Sequence, residues 1–278
     1  MKPRILQLLV FVLVLGTWGF AEALEPLKLY DNFDQALINP DKWRGDQFQT
    51  GGFYQELVRK ITPEEHNLRL LNRSYGNTFS YSGNTLNLFR LAFTRPDTIT
   101  AIRSRVQVRN VESTGCPDLT PTQASAQIFG FFFNTNATVL GDATFDVIAG
   151  VAVRRRSNSP DPSDVLEIFY FVNLCGDRNC VVSPPLVGGE GLLGTVTTGE
   201  WVSLLVQWDK DHHRFIFQRD REQPVFVTYT GFSPVPPGVQ LKTIGADNFI
   251  ANCSNTPRPV GMVDALFDNV FVNQSALP

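Results

Sequence analysis

The alternation of apolar and polar positions is sharpest between Gly199 and Asp220, in the run GEWVSLLVQWDKDHHRFIFQRD. Val202, Leu204, Val206 and Trp208 alternate there with Trp201, Ser203, Leu205 and Gln207. Beyond the polar loop Asp209-Lys210-Asp211-His212, Phe215 and Phe217 alternate with Arg214, Ile216 and Gln218. A period of two, rich in β-branched and aromatic residues, predicts two antiparallel strands rather than a helix, because successive side chains on a strand point to opposite faces. Apolar residues on both sides place this pair inside a layered sheet.

The same period recurs along the chain. Lys28–Phe33 predicts a first short strand and Asn39–Trp43 a turn. Tyr54–Ile61 and Asn67–Asn72 predict two more strands, parted by Thr62-Pro63-Glu64-Glu65-His66, whose proline and charges interrupt pairing. Ser74–Asn87 reads as a polar loop or an irregular strand at the rim. In Ile99–Val111, Ile102, Val106 and Val108 fall on one face and Arg103, Arg105, Gln107 and Arg109 on the other, so one face is core and one is wet. Gln127–Asn134 (QIFGFFFN) is a buried strand in which Gly130 marks a bulge or the close approach of another backbone. Phe145–Arg156 and Val165–Leu174 form a second hairpin across a loop fixed by Pro160 and Pro162. Val181–Val196 is rich in Gly and Pro, and Val225–Tyr229, Leu241–Ile250 and Val263–Asn273 complete the strands. About a dozen strands, no long helix and no fixed repeat predict an all-β fold, a two-sheet antiparallel β-sandwich of the jelly-roll kind.

The N-terminus changes the boundaries of that domain. Lys2 and Arg4, an apolar run from Ile5 to Leu15 and small residues at Ala21 and Ala23 predict a secretory signal peptide over residues 1–23. The run is shorter than the roughly 20 residues a spanning helix needs, so the mature chain is expected to be secreted or periplasmic, with no membrane span. Residues 24–278 are then expected to form one sandwich domain. Loss of Lys2, Arg4 and Glu22 from the 24 basic and 27 acidic residues of the whole chain leaves a near-neutral, slightly acidic protein. Nothing in that balance points to nucleic acid. Four cysteines in an exported chain predict two disulfides. Cys175 and Cys180 bracket the turn Gly-Asp-Arg-Asn and pair; Cys116 with Cys253 follows by elimination. Their spacing from His66, His212 and His213 does not suit zinc.

Three stretches together resemble the concanavalin A-like lectin and glucanase superfamily, laminin G-like modules included. They are Tyr30-Asp31-Asn32-Phe33 with Asn39-Pro40-Asp41-Lys42-Trp43; Trp201–Asp209 with Phe215-Ile216-Phe217; and Ala265-Leu266-Phe267-Asp268-Asn269-Val270-Phe271-Val272. The resemblance implies a sandwich in which the first and last strands pair. It also implies a structural calcium outside the sandwich, for which Asp31 and Asp268 are the candidate oxygen ligands; the alternative is that both carboxylates bond backbone amides at strand ends.

Glucanases of this superfamily are expected to carry Glu-x-Asp-x-(x)-Glu on one strand face, which seats a nucleophile and a general acid together. No such run occurs. Asp164 and Glu167 fall on opposite faces, and Asp264 and Asp268 share a face only in the terminal strand. Glu167 shares its face with Phe169 and Phe171 and reads as an arginine's ion-pair partner, while Tyr170 reads as core. Jelly-roll lyases need a Gln-x-His strand, and Gln127-Ile128-Phe129 has Phe where the proton acceptor belongs. His212 and His213 read as solvated loop residues. What remains is a candidate binding face: Arg103 and Arg105 on one strand and Arg154 and Arg156 on another make a basic patch if they share a sheet, suited to carboxylate or sulfate groups. The sequence thus predicts a non-catalytic module that binds carbohydrate or an anionic surface polymer. The alternatives are a divergent glycoside hydrolase or lyase and a structural or adhesive envelope protein.

Overall fold

A computed structural model describes residues 25–78, 84–116, 121–254 and 257–277. The expected signal peptide therefore lies outside the described residues. Among the described residues, fifteen strands build two antiparallel sheets that face each other. The eight-stranded sheet runs in the order β13 (Val225–Thr228), β12 (Arg214–Arg219), β11 (Trp201–Asp209), β6 (Ala101–Ser113), β15 (Val260–Asn273), β4 (Leu68–Tyr75), β3 (Phe53–Ile61), with β1 (Leu27–Asp31) also paired to β15. The seven-stranded sheet runs β10 (Pro185–Thr197), β9 (Val165–Leu174), β8 (Asp146–Arg156), β7 (Gln123–Asn134), β14 (Lys242–Ala251), β5 (Asn84–Phe93), β2 (Trp43–Gln49). The sandwich is the expected one, and its first and last strands pair, Leu27 opposite Asn273. No helix among the described residues is long and apolar enough to cross a membrane.

The period-two pattern explains the core. Ile102, Val106 and Val108 of β6, Val202, Leu204 and Val206 of β11, and Phe215 and Phe217 of β12 point inward from one sheet. Ile128 of β7, Val151 and Val153 of β8, and Ile168, Tyr170 and Val172 of β9 meet them from the other. Tyr170 stacks on Phe217 at 4.8 Å between ring centroids, so it is core as expected. At ~25 cal/mol per Å2 of apolar surface removed from water, each of these large side chains contributes about 1.5–3 kcal/mol.

The hairpin 199–220 forms as expected, Trp208 opposite Phe215, with β11 inside the sheet between β6 and β12. Three strands were not expected. β5 is buried on both faces, so its sequence NTLNLFRLAF shows no clean alternation. β10 (PLVGGEGLLGTVT) is an edge strand with two register shifts, one next to Gly194 at φ +109°. β2 is an edge strand whose Gly45 leaves room for the guanidinium of Arg59. Gly130 serves a side chain rather than another backbone: a Cβ there would lie 2.7 Å from Cγ of Lys242, whose stem crosses the strand at that point. The bulge comes just after it, between Phe131 and Phe133.

Both disulfides pair as expected, Cys116 with Cys253 and Cys175 with Cys180, over sequence separations of 137 and 5. Because a cross-link restricts the unfolded chain more when it closes a longer loop, replacing Cys116 and Cys253 together by Ser is expected to cost about 2–4 kcal/mol, and the same change at Cys175 and Cys180 distinctly less. Urea unfolding midpoints of the two double variants check the order.

Candidate binding groove

The ladder registers arrange the outward face of the seven-stranded sheet in rows. One row runs Phe48, Leu88, Asp247, Ser125, Arg154, Glu167; the next, two residues along each strand, runs Asp46, Arg90, Gly245, Gln127, Ala152, Phe169. A third runs Thr243, Phe129, Gly150, Phe171, Glu190. The small residues in the middle let long side chains lie flat. A Cβ at Gly150 would sit 2.7 Å from the ring of Phe171, and one at Gly245 2.6 Å from Cγ of Arg90. The result is a groove of about 590 Å3 whose walls include Asn84, Arg156, Asn173 and Asn179.

Its floor is a continuous run of stacked planes. The Arg154 guanidinium lies 3.6 Å from the ring centroid of Phe169. Phe169 stacks with Phe171 at 5.9 Å, Phe171 with Phe129 at 6.1 Å, and Arg90 covers Phe129 at 4.6 Å. Offset stacking and guanidinium–ring contact are both attractive, and burial strengthens the latter.

Charge on this floor is compensated. Asp247 is wholly buried and accepts from Arg90 Nε at 2.7 Å and the Phe89 amide at 3.1 Å, and Gln127 donates to it as well. Burial pushes the Asp247 carboxyl up and Arg90 opposes that push. Glu167 accepts from Arg154 Nε at 2.8 Å and Arg156 Nη2 at 2.7 Å, the expected ion pair made twice. Burial would raise its carboxyl, but Arg156 and Arg154 outweigh that and hold it below the usual carboxylate range. Three strand steps of ~4.8 Å separate Asp247 from Glu167, so their Cα atoms lie about 14 Å apart. Asp46 and Glu190 stand on the two edge strands. By contrast, Asn84 Oδ1, Asn173 Oδ1 and Arg156 Nε, all on residues lining the groove, are buried without a hydrogen-bond partner among the described residues. Unpaired buried polar atoms are uncommon and call for a partner.

The four arginines of the expected patch are not brought together. Arg154 and Arg156 belong to this groove, whereas Arg103 and Arg105 project from β6 on the far sheet, where Arg103 covers Phe271 and Arg105 covers Trp201 and pairs with Asp268 at 3.5 Å. Asp264 is held by Arg69 and Arg109, both at 2.9 Å. His212 bonds Asp209 in its loop.

The expected calcium ligands are likewise engaged. Asp31 accepts from the Phe33 amide at 3.0 Å and the Trp43 indole at 2.7 Å, and Asp268 from the Asn269 amide at 2.6 Å. Among the described residues no group of three or more acidic, His or Cys side chains could hold a metal. Both carboxylates accept from backbone amides, as the alternative reading expected, Asp31 at the end of β1 and Asp268 within β15.

Sequence reasoning missed Asp247 and its partner Arg90. The signal for the floor was present in the same-face runs Glu167-x-Phe169-x-Phe171-x-Asn173 and Gln127-x-Phe129-x-Phe131, but Arg90 and Asp247 are 157 residues apart and nothing local joins them.

Two outcomes follow from these contacts. The melting temperature is expected to be the same in calcium and in chelator, as differential scanning calorimetry would show. Glu167→Gln is expected to destabilise by about 2–4 kcal/mol at pH 7, because it leaves two arginines short of their counter-charge. Since the folded-state carboxyl is depressed, wild type holds this advantage above the ordinary Glu range near pH ~4.5 and loses it as pH falls through the depressed value; urea unfolding of both proteins from pH 7 to 3 checks the convergence.

No protein-family model matches the sequence, and no curated protein matches it. Among solved structures, a β-1,3-glucanase from Mycobacterium marinum is similar at 14% identity, with 90% of this chain and 100% of that chain covered and a TM-score of 0.45. A glycoside hydrolase family protein from Mycobacterium thermorestibile is similar at 13% identity, with 87% and 97% covered and a TM-score of 0.42. A carbohydrate-binding module from Bacillus subtilis is similar at 11% identity, with 82% and 93% covered and a TM-score of 0.29. What the groove can do rests on its own residues.

Proposed function

We propose that the protein is an exported, non-catalytic module that binds an uncharged polysaccharide along the groove of the seven-stranded sheet. The observation that carries this reading is the groove itself: an aromatic floor flanked by Asn84 Oδ1, Asn173 Oδ1 and Arg156 Nε, three atoms with no hydrogen-bond partner among the described residues. Flat apolar rings with a few fixed polar groups suit a sugar, whose faces are apolar and whose edges carry hydroxyls able to donate and accept. Compensation of Arg154 and Arg156 by Glu167, and of Arg90 by Asp247, favours an uncharged chain over an anionic polymer, because a ligand carboxylate or sulfate would have to displace carboxylates already in place. The separation of Asp247 from Glu167, each committed to arginine, supports binding without hydrolysis. Two disulfides accord with an oxidising, extracellular setting.

A glycan array of neutral and acidic polysaccharides, backed by a reducing-sugar release assay, tests this reading. Selective binding of a neutral glycan without release is expected. Asn173→Ala or Arg156→Ala is expected to weaken binding about tenfold, the worth of one or two hydrogen bonds to a buried polar group, while Arg103→Ala with Arg105→Ala on the far sheet leaves it unchanged. Release of sugar, or loss of binding only in the far-sheet variant, would overturn it.

A further inference from the structure

Buried charge in this protein is matched almost everywhere. Arg90 has Asp247, Glu167 has Arg154 and Arg156, Asp209 has Arg214, and Asp264 has Arg69 and Arg109. Asp31 and Asp146, which are also buried, accept from donor groups: Asp31 from an amide and an indole, Asp146 from the amides of Gly238 and Val239. Among the described residues, Lys242 is the exception. It is 2% exposed, its Nζ donates to the Pro96 carbonyl at 2.8 Å and lies 5.1 Å from the centre of the Phe132 ring, and no carboxylate among the described residues forms an ion pair with it. An ammonium has three donors, and a carbonyl and a ring face satisfy it only in part. Taking such a group out of water without a counter-ion is costly, yet the fold makes a specific place for it, since Gly130 is the residue whose missing Cβ lets the lysine stem cross β7.

Lys242 is also among the residues lining a second cavity, of about 350 Å3, where Phe132 of β7, Trp208 of β11 and Lys242 of β14 meet the loop 234–240. Phe132, Trp208, Val235 and Pro237 supply apolar walls. The other charged groups around it are Asp97, on the loop between β5 and β6, and Lys210, on the loop between β11 and β12; both are exposed. We propose that this cavity is a second ligand site, separate from the groove, that takes a small carboxylate with an apolar body, the carboxylate supplying the counter-ion that Lys242 lacks. The walls accept the body, and the amine fixes the orientation of the charged end.

Protonation makes the site readable. Burial pulls the Lys242 amine down to about 7, against the opposing pull of Asp97. A bound carboxylate favours the charged form, so binding is coupled to proton uptake above that value.

Benzoate is a suitable probe, with benzyl alcohol as its uncharged counterpart, in calorimetric titrations of the whole chain. At pH 6 benzoate is expected to bind saturably and about tenfold more tightly than benzyl alcohol, the margin of one charge-assisted hydrogen bond. Moving from pH 6 to pH 8 is expected to weaken benzoate binding about tenfold and to add the uptake of close to one proton, seen as a heat that varies with the buffer's ionisation enthalpy. Lys242→Met removes the preference for benzoate, and Lys210→Ala keeps it. Absence of saturable benzoate binding at pH 6, equal binding of the two probes, or a preference retained in Lys242→Met would overturn the proposal. If Lys242→Met does not fold, the comparison of two probes at two pH values in the wild type decides it alone.

Discussion

The pairing of Asp247 with Arg90 is the interaction on which the groove depends. β14 is covered on both faces, so an acidic residue in its middle is tolerable only with a partner at hand. Arg90 reaches it from β5 by lying along the sheet over Gly245, and the same guanidinium that neutralises the carboxylate closes over the ring of Phe129. From there the order of the floor passes ring to ring to Phe171 and Phe169 and ends on Arg154, itself anchored by Glu167. An ion pair at each end and aromatic planes between them make a rigid surface, which suits binding because little freedom is left to lose when a ligand arrives.

The sheets themselves were legible wherever one face is buried and the other wet. Ile99–Val111 alternates because water touches one side and the core the other, while the 199–220 hairpin was legible from its β-branched and aromatic residues, although Leu205 and Ile216 on its other face are buried too. The strands that escaped notice lack that contrast for opposite reasons: β5 has no wet face, and β2 and β10 are edges where glycine and bulges break the period. The turn at Gly-Asp-Arg-Asn made one disulfide readable, and elimination gave the other.

The site was legible only in pieces. Alternation assigned Glu167, Phe169 and Phe171 to one face and an arginine to Glu167, but it could not say which sheet a strand joins. Alternation alone therefore does not separate Arg103 and Arg105 from Arg154 and Arg156, although the two pairs project from opposite sheets of the sandwich. Likewise Asp31 and Asp268 do belong to the first and last strands, and each bonds an amide one or two residues further along, but the indole of Trp43, twelve residues from Asp31, is a partner that no local pattern joins to it.

The pairing of β1 with β15 sets how the molecule meets its surroundings. Leu27 lies opposite Asn273, so both ends of the described chain emerge side by side from the eight-stranded sheet, the layer that turns its back on the groove. A bead, a tag or a neighbouring domain joined at either end would therefore attach at the same rim of the sandwich, through the sheet that does not carry the groove.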